Sequence, residues 1–342
     1  MCNKQIATKS SFILKTTIGV IGSGSWGTAL VNLLTQNGYH VNWYVQGQEI
    51  REHVYAHGHN PHYLSFATLN MSKLRVTIKI DDLIEASSII ILVVPSAFLH
   101  GVLSESTYPL KNKMVVSAVK GIIPETNDII ADYLMKEFDV PREHFAMISG
   151  PSHAEEVASE KLTFLTVASE HVDLAKNVKD ILQNHHIRVK ISHDIVGTEF
   201  AAVAKNVYAI AAGIYHGLGY GDNFQAVLVC NAAHEMREFM SQVCRVSADI
   251  IESAYLGDLL VTMYSQYSRN RMFGTMIGKG YSVKYARMEM LQIAEGYYGA
   301  KGLFHFMEIL NIDMPIARAV YNVLYNNKPA SKEFVALTER LS

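Results

Sequence analysis

A short run rich in β-branched residues, Ile18 to Ile21, breaks into Gly22-Ser-Gly-Ser-Trp-Gly27, and a stretch of helical character, Thr28 to Gln36, follows at once. Few sequence features restrict a fold as tightly. Gly22 permits a tight strand-to-helix turn, Gly24 lets the backbone come close to a pyrophosphate, and Gly27 lets the helix pack closely. The helix N-terminus then faces the negative charge with its unpaired N–H groups. A lone G-x-G-x-x-G also arises for steric reasons; its position between a strand and a helix is what assigns it to dinucleotide binding.

The rest of the first half keeps the same rhythm. His40 to Val45, Met114 to Val119 and Phe145 to Ser149 read as strands. Ser88 to Val94 is a nearly continuous apolar run closed by Pro95, as a strand covered on both faces requires. Helical stretches are expected over Glu125 to Glu137 and Asp173 to Asn184, the second flanked by strands at Leu162 to Ala168 and Ile187 to Ile191. Strand and helix alternate, which gives an α/β doubly wound sheet of the Rossmann type. After Asp194 the apolar spacing becomes helical, over Thr198 to Tyr215 and Asn223 to Val243, and no strand is expected. The expected division is a tail at 1–16, a dinucleotide-binding domain at 17–192 and an all-α domain at 193–342.

Charge and cysteine usage exclude several classes. Thirty basic against 32 acidic side chains leave no basic excess for a nucleic acid. Cys2, Cys230 and Cys244 form no C-x-x-C, and an odd, scattered set suits a reducing compartment. Phe12 to Leu14 is too short an apolar patch for a secretory segment, and Ala201 to Ile214 falls below a membrane span. A cytoplasmic protein without an integral membrane segment is expected.

Three sites carry chemistry. Lys205 lies in Ala201-Ala-Val-Ala-Lys-Asn-Val-Tyr-Ala-Ile-Ala-Ala212, which is small and apolar on nearly every face. An ammonium group there is paired, is depressed in pKa, or snorkels to a helix edge; in the first two cases it suits general acid/base work. Asp258, near a helix start, and Ser268-Arg269-Asn270 supply a carboxylate, a forked guanidinium and an amide, suited to a hydroxyl and a phosphate. Each of the last two also reads as an ordinary polar loop.

Taken in order, these segments resemble the bacterial NAD(P)-dependent glycerol-3-phosphate dehydrogenases from about Thr17 to about Leu310. The resemblance rests on the turn at Gly22 to Ala29, on Val94-Pro-Ser96, on Val119-Lys-Gly-Ile122 and on Ile148-Ser-Gly-Pro-Ser-His-Ala-Glu-Glu156. Val203-Ala-Lys-Asn206, Gly257-Asp258, Ser268-Arg-Asn270, Ala294-Glu-Gly296 and Ala300-Lys301 complete it. It implies a Rossmann-type domain followed by a helical one, and interconversion of sn-glycerol 3-phosphate and dihydroxyacetone phosphate by hydride transfer, in the service of glycerophospholipid synthesis. Lys205 would be the general base, Asp258 would orient it or the substrate, and Lys120 would sit where cofactor and substrate meet. Arg269 and Asn270 would hold the phosphate, with Gly150, Ser152 and Ser268 lining the same pocket. Gly22, Gly24, Ser25, Trp26, Gly27, Ala154 and Glu295 would meet the cofactor, with Arg269 and Lys120 reaching it too. A small phosphorylated substrate is the implied partner, and a homodimer is compatible with the reading.

Departures from the family's pattern bear on the cofactor and on regulation. Many relatives carry arginine where this chain has Gln46; beyond it stand Gln48, Glu49 and Arg51, so NAD and NADP both stay open, with NADH favoured. Cys230-Asn231 replaces a frequent Thr-Arg, Asn60-Pro-His-Tyr-Leu64 is followed by Ser65, and Tyr297-Tyr-Gly299 is an unusual filling. His53, His57, His59 and His62 fall beside Asn60-Pro61 in an expected loop, and no metal is expected there. His185-His186 precedes a strand with no partner legible in the sequence. Two rivals are a related dehydrogenase for a 3-hydroxy acid or acyl thioester, and a non-catalytic nucleotide sensor. The second has no need of Lys205, Asp258 and Arg269 together.

Overall fold

The computed structural model describes residues 16–244, 249–290 and 292–342, so the tail read at 1–16 lies outside it but for Thr16. Eight strands form one sheet: β1 (Thr17–Ile21), β2 (His40–Tyr44), β3 (Leu74–Thr77), β4 (Ile89–Leu92), β5 (Met114–Ser117), β6 (Phe145–Ser149), β7 (Thr163–Ala168) and β8 (Ile187–Ser192). Their order is β3-β2-β1-β4-β5-β6-β7-β8. Every neighbouring pair is parallel except β6 and β7. The chain direction of the crossovers reverses between β1 and β4, which opens a crevice at the carboxyl ends of the strands. Strand β4, Ile-Ile-Ile-Leu, is buried throughout, as its unbroken apolar run requires.

Around the sheet lie α1 (Ser25–Gln36), α2 (Gln48–His57), α3 (Ile80–Ala86), α4 (Ser96–Ser104), α5 (Ile130–Phe138), α6 (Ala154–Ala158) and α7 (Val172–Leu182). Two expectations are corrected here. The helix expected from Glu125 starts only at Ile130, because Asn127 takes a left-handed φ of +59° that no α-helix can pass through. His53 and His57 sit on α2 rather than in a loop, and Gly58 in the left-handed conformation ends that helix just before His59.

Beyond Ser192 the described residues contain only helices and connections: α8 (Ile195–Gly217), α9 (Asp222–Val243), α10 (Asp258–Tyr264), α11 (Arg269–Gly278), α12 (Val283–Glu289), α13 (Glu295–Leu310), α14 (Pro315–Tyr325) and α15 (Ala330–Thr338). Asp194 caps α8, accepting from Gly197 N–H at 2.8 Å. At 23 residues α8 is longer than its apolar stretch suggests, and is long and apolar enough to cross a membrane; 94% of that window is buried within the protein. From Gly197 to Tyr215 every residue is buried. An all-round apolar helix of this kind is the axis of a core.

Glycines let α11 lie directly on α8. A Cβ at Gly213 would stand 2.0 Å from the Arg271 carbonyl oxygen, and one at Gly274 would stand 2.1 Å from that of Ile210. Backbone meets backbone at both points, so no side chain fits. This contact fixes Asn270, at the start of α11, against Asn206 of α8.

Candidate active site

The glycine turn forms one wall of the crevice. Gly22 has φ +129°, and a Cβ there would stand 2.6 Å from the Val93 carbonyl oxygen. A Cβ at Gly27 would lie 2.2 Å from the Gly22 carbonyl oxygen, so α1 can begin this close to β1 only without one. Gly24 is different: a Cβ there would meet nothing within 4 Å, which leaves open space where a pyrophosphate would lie. Two residues to which the sequence assigns no role at the turn hold it. Trp43 Nε1 donates to the Gly22 carbonyl at 2.9 Å, and buried Asn60 donates to the Ser23 carbonyl at 3.0 Å and to Thr28 Oγ1 at 2.8 Å.

Opposite the turn stand two lysines and a carboxylate. Lys205, from the middle of α8, is 4% exposed, and its Nζ lies 2.5 Å from Asp258 Oδ1. Asp258 is the first residue of α10, presented by a wide helical turn at Ser253–Gly257. Lys120 follows β5 and reaches the other oxygen, Oδ2, at 3.4 Å, and the Gly150 carbonyl at the end of β6 at the same distance. One carboxylate therefore faces two ammonium groups. Burial pulls the Lys205 pKa down and the Asp258 charge opposes this, while Lys120 lowers it further. Burial alone would raise the Asp258 carboxyl; Lys120 and Lys205 together outweigh it and keep that group ionised.

Side-chain amides tie these parts into one frame. Asn206 Nδ2 donates to the Lys120 carbonyl at 2.9 Å, Asn270 Nδ2 donates to Asn206 Oδ1 at 2.9 Å, and Gly296 N–H donates to Asn270 Oδ1 at 2.9 Å. A second tie is Glu295, which accepts from Ser96 N at 2.9 Å and from Ser96 Oγ at 2.6 Å at the start of α4. A third runs from Arg269 Nη1 to Gln292 Oε1 at 2.7 Å, and from Gln292 Nε2 to Ser25 Oγ at 3.2 Å on the glycine turn.

A cleft of about 570 Å³ lies between these walls. Of the residues singled out in the sequence, Gly22, Gly24, Ser25, Trp26, Lys120, Ser152, Ala154, Lys205, Asp258, Ser268, Arg269, Asn270 and Glu295 all line it. Gly27 and Gly150 do not: the first lies beneath the turn, and the second, at φ +109°, offers its carbonyl to Lys120 and to Ser152 Oγ instead of a lining surface. Both Glu295 oxygens are engaged by Ser96, so this carboxylate joins two elements rather than standing free in the cleft. Gln46 lines the cleft as expected. Arg51 does not, because it donates to the Val76 carbonyl at 3.3 Å and to Gln48 Oε1 at 3.4 Å.

His153 was missed, although it stands between two singled-out residues. It lines the cleft, and its Nε2 is buried with no hydrogen-bond partner among the described residues. Burial, and then the Lys205 charge, hold the imidazole below its ordinary pKa, so it is neutral at pH 7.

A dinucleotide-binding turn facing a buried amine across the strand-end crevice defines a Rossmann-type, NAD(P)-dependent oxidoreductase with an appended helical domain. Comparison with known proteins narrows the class. Residues 17–175 match the N-terminal model, and residues 194–335 the C-terminal model, of NAD-dependent glycerol-3-phosphate dehydrogenase. The chain belongs to that family. It is 34% identical over 325 residues to a glycerol-3-phosphate dehydrogenase [NAD(P)+] of Exiguobacterium, covering 94% of this chain and 95% of the relative. A Bacillus cytotoxicus protein of the same name is 35% identical over 318 residues, 92% of each chain. The crystal structure of glycerol-3-phosphate dehydrogenase from Coxiella burnetii superposes with a TM-score of 0.87 at 29% identity, over 95% of this chain and 99% of that one.

Proposed function

We propose that the chain interconverts sn-glycerol 3-phosphate and dihydroxyacetone phosphate, and that Lys205 is its general acid/base. The observation that carries the reading is the buried Lys205–Asp258 pair, 2.5 Å apart, in the cleft that also holds the glycine turn. The nicotinamide supplies hydride transfer at C2 of the substrate. The open side of Gly24 and the α1 N-terminus suit the cofactor's pyrophosphate, with Ser25, Trp26 and Ala154 beside it. Lys205 takes the proton of the C2 hydroxyl during oxidation and returns it to the C2 oxygen during reduction. Asp258 keeps Lys205 oriented and compensates its charge. Lys120 adds positive charge where the C2 oxygen becomes negative.

Arg269, Ser268 and Asn270 form the phosphate end of the site, near Ser152. A guanidinium fork suits a phosphate dianion, and Arg269 is exposed enough to swing from Gln292 toward it. Residues 17–192 then hold the cofactor and lend Lys120 and Ser152 to the substrate, and 193–342 carry Lys205, Asp258 and the phosphate grip, in a cytoplasmic homodimer that supplies glycerol 3-phosphate for glycerophospholipid synthesis. The test is steady-state reduction of dihydroxyacetone phosphate beside dihydroxyacetone, in the wild type and in Arg269→Lys. The phosphorylated substrate is expected to be far better in the wild type, and Arg269→Lys to raise its KM strongly while leaving the slow dihydroxyacetone reaction unchanged. Equal losses on both substrates would remove Arg269 from the phosphate site.

A further inference from the structure

Away from the cleft, the histidine doublet left without a partner in the sequence acquires one. His185 and His186 lie in the turn that feeds β8, and Glu160 lies in the turn that feeds β7. The two strands are parallel neighbours, with Thr163 paired to Ile187, so their entry turns stand side by side. His186 Nδ1 faces His185 Nε2 at 3.3 Å, and His185 Nε2 stands 3.6 Å from Glu160 Oε2. One ligand atom from each of the three residues falls within 4.8 Å of the others.

Those separations have a chemical reading. Tetrahedral ligands on bonds of about 2.0 to 2.1 Å stand about 3.3 to 3.4 Å apart, edge to edge. The two nitrogens already have that spacing, the carboxylate oxygen stands 3.6 Å from one of them, and all three ligand atoms lie within 4.8 Å, so the exposed Glu160 side chain has to close on the pair. We propose that Glu160, His185 and His186 form a binding site for a divalent cation of the zinc class, with a fourth position open to water. Two imidazoles and one carboxylate favour such an ion over magnesium or calcium, which prefer all-oxygen sites.

The backbone holds these groups in place before any ion arrives. Asn184 Oδ1 accepts from His186 N at 3.0 Å and from Ile187 N at 2.9 Å, while Asn184 Nδ2 donates to Asn37 Oδ1 at 3.0 Å. Thr163 N–H donates to the His186 carbonyl at 2.9 Å, locking one turn to the other. Glu160 keeps a left-handed φ of +56°, an uncommon conformation for a residue with a Cβ, in the turn beside the doublet. None of the three residues lines the catalytic cleft, so the ion would clip two strand entries together and take no part in hydride transfer.

The experiment uses the full chain, freed of metal with a chelator and then dialysed against micromolar zinc chloride, with bound zinc measured by elemental analysis. Glu160→Gln and His185→Gln are the variants, since both side chains are at least half exposed and their loss leaves the core intact. The wild type is expected to retain about one zinc per chain and to melt at a higher temperature with zinc than without. Each variant is expected to bind at least about tenfold more weakly, since even outer-shell changes cost that much, and to keep wild-type kcat. Magnesium chloride is expected to do nothing. A wild type that retains no zinc would overturn the site. So would variants that bind as tightly as the wild type, because the ion would then belong to the His53, His57 and His59 cluster or to another group.

Discussion

The Asn206 side-chain amide donates to the Lys120 carbonyl at 2.9 Å, and its oxygen accepts from Asn270 at the same distance. The neighbour of the proposed base is thus the joint between a strand-end loop of the sheet and the helix that carries Arg269. Truncating it would strand a buried Asn270 amide and leave the Lys120 loop free to move. Asn206→Ala is therefore expected to cost about 1 to 3 kcal/mol of stability and to lower kcat by more than it raises the KM for cofactor. Urea unfolding and steady-state kinetics on the same preparation check this; an unchanged kcat would make the joint purely architectural.

The glycine contact between α8 and α11 sets the same geometry from behind. Gly274→Ala would push a methyl against the Ile210 backbone, where nothing can rotate aside. Overpacking of this kind costs about 1 to 3 kcal/mol and shifts backbone. The expected result is a lower melting temperature together with a loss of activity, since Asn270 moves with α11. Gly280→Ala is no control, because Gly280 has φ +95°; Gly101→Ala is one, having open space and an ordinary helix around it.

Two buried acids make stability depend on pH in an unusual direction. Burial pushes the Glu199 carboxyl up to about 8, against the Ala131 N–H that it accepts at 3.3 Å. Burial likewise raises Glu235 to about 7, where it accepts from Ile316 and Ala317 N–H. Each holds its proton more tightly folded than unfolded, so its contribution is fully present below about pH 4.5 and is lost as pH rises through 7 to 8. Glu199→Gln, neutral at every pH, is expected to gain stability relative to the wild type between pH 5.5 and pH 8.5. A difference that stays flat across that range would contradict the assignment.

The proposed determinant of cofactor choice is Gln46. It lines the cleft, while Arg51 is occupied by Val76 and Gln48. A neutral amide can bond a ribose hydroxyl and neither attracts nor repels a 2′-phosphate. Both cofactors are expected to work, with NADH preferred, and Gln46→Arg is expected to move the ratio of kcat/KM values toward NADPH by about 1 to 2 kcal/mol. A wild type that strongly favours NADPH would require another basic residue at the phosphate.

What could be read from the sequence was what local chemistry encodes. The glycine turn needs strand, turn and helix within about twenty residues, and it stands where the spacing put it. Lys205 stands out because an ammonium in an apolar helix is paired, depressed in pKa or led to a helix edge; the fold pairs it with Asp258, 53 positions away. Strand β3 was passed over because Leu-Arg-Val-Thr is four residues long and half polar, and its order comes from pairing with β2. Nothing local gives Asn60 or Trp43 its role; their hydrogen bonds to the glycine turn exist only once the chain has closed on itself. The same holds for Glu295, whose bond to Ser96 spans 199 positions.

The central claim is that Lys205 transfers the proton at C2. It is tested by the loss of nicotinamide absorbance with dihydroxyacetone phosphate in the wild type and in Lys205→Ala, with NADH affinity of both measured by fluorescence. Removing a general acid/base costs about 10² to 10⁴-fold, and the lost positive charge adds to it. The expected result is a fall in kcat of at least that size with NADH affinity near that of the wild type. A Lys205→Ala enzyme that keeps its turnover within a few-fold would contradict the mechanism outright.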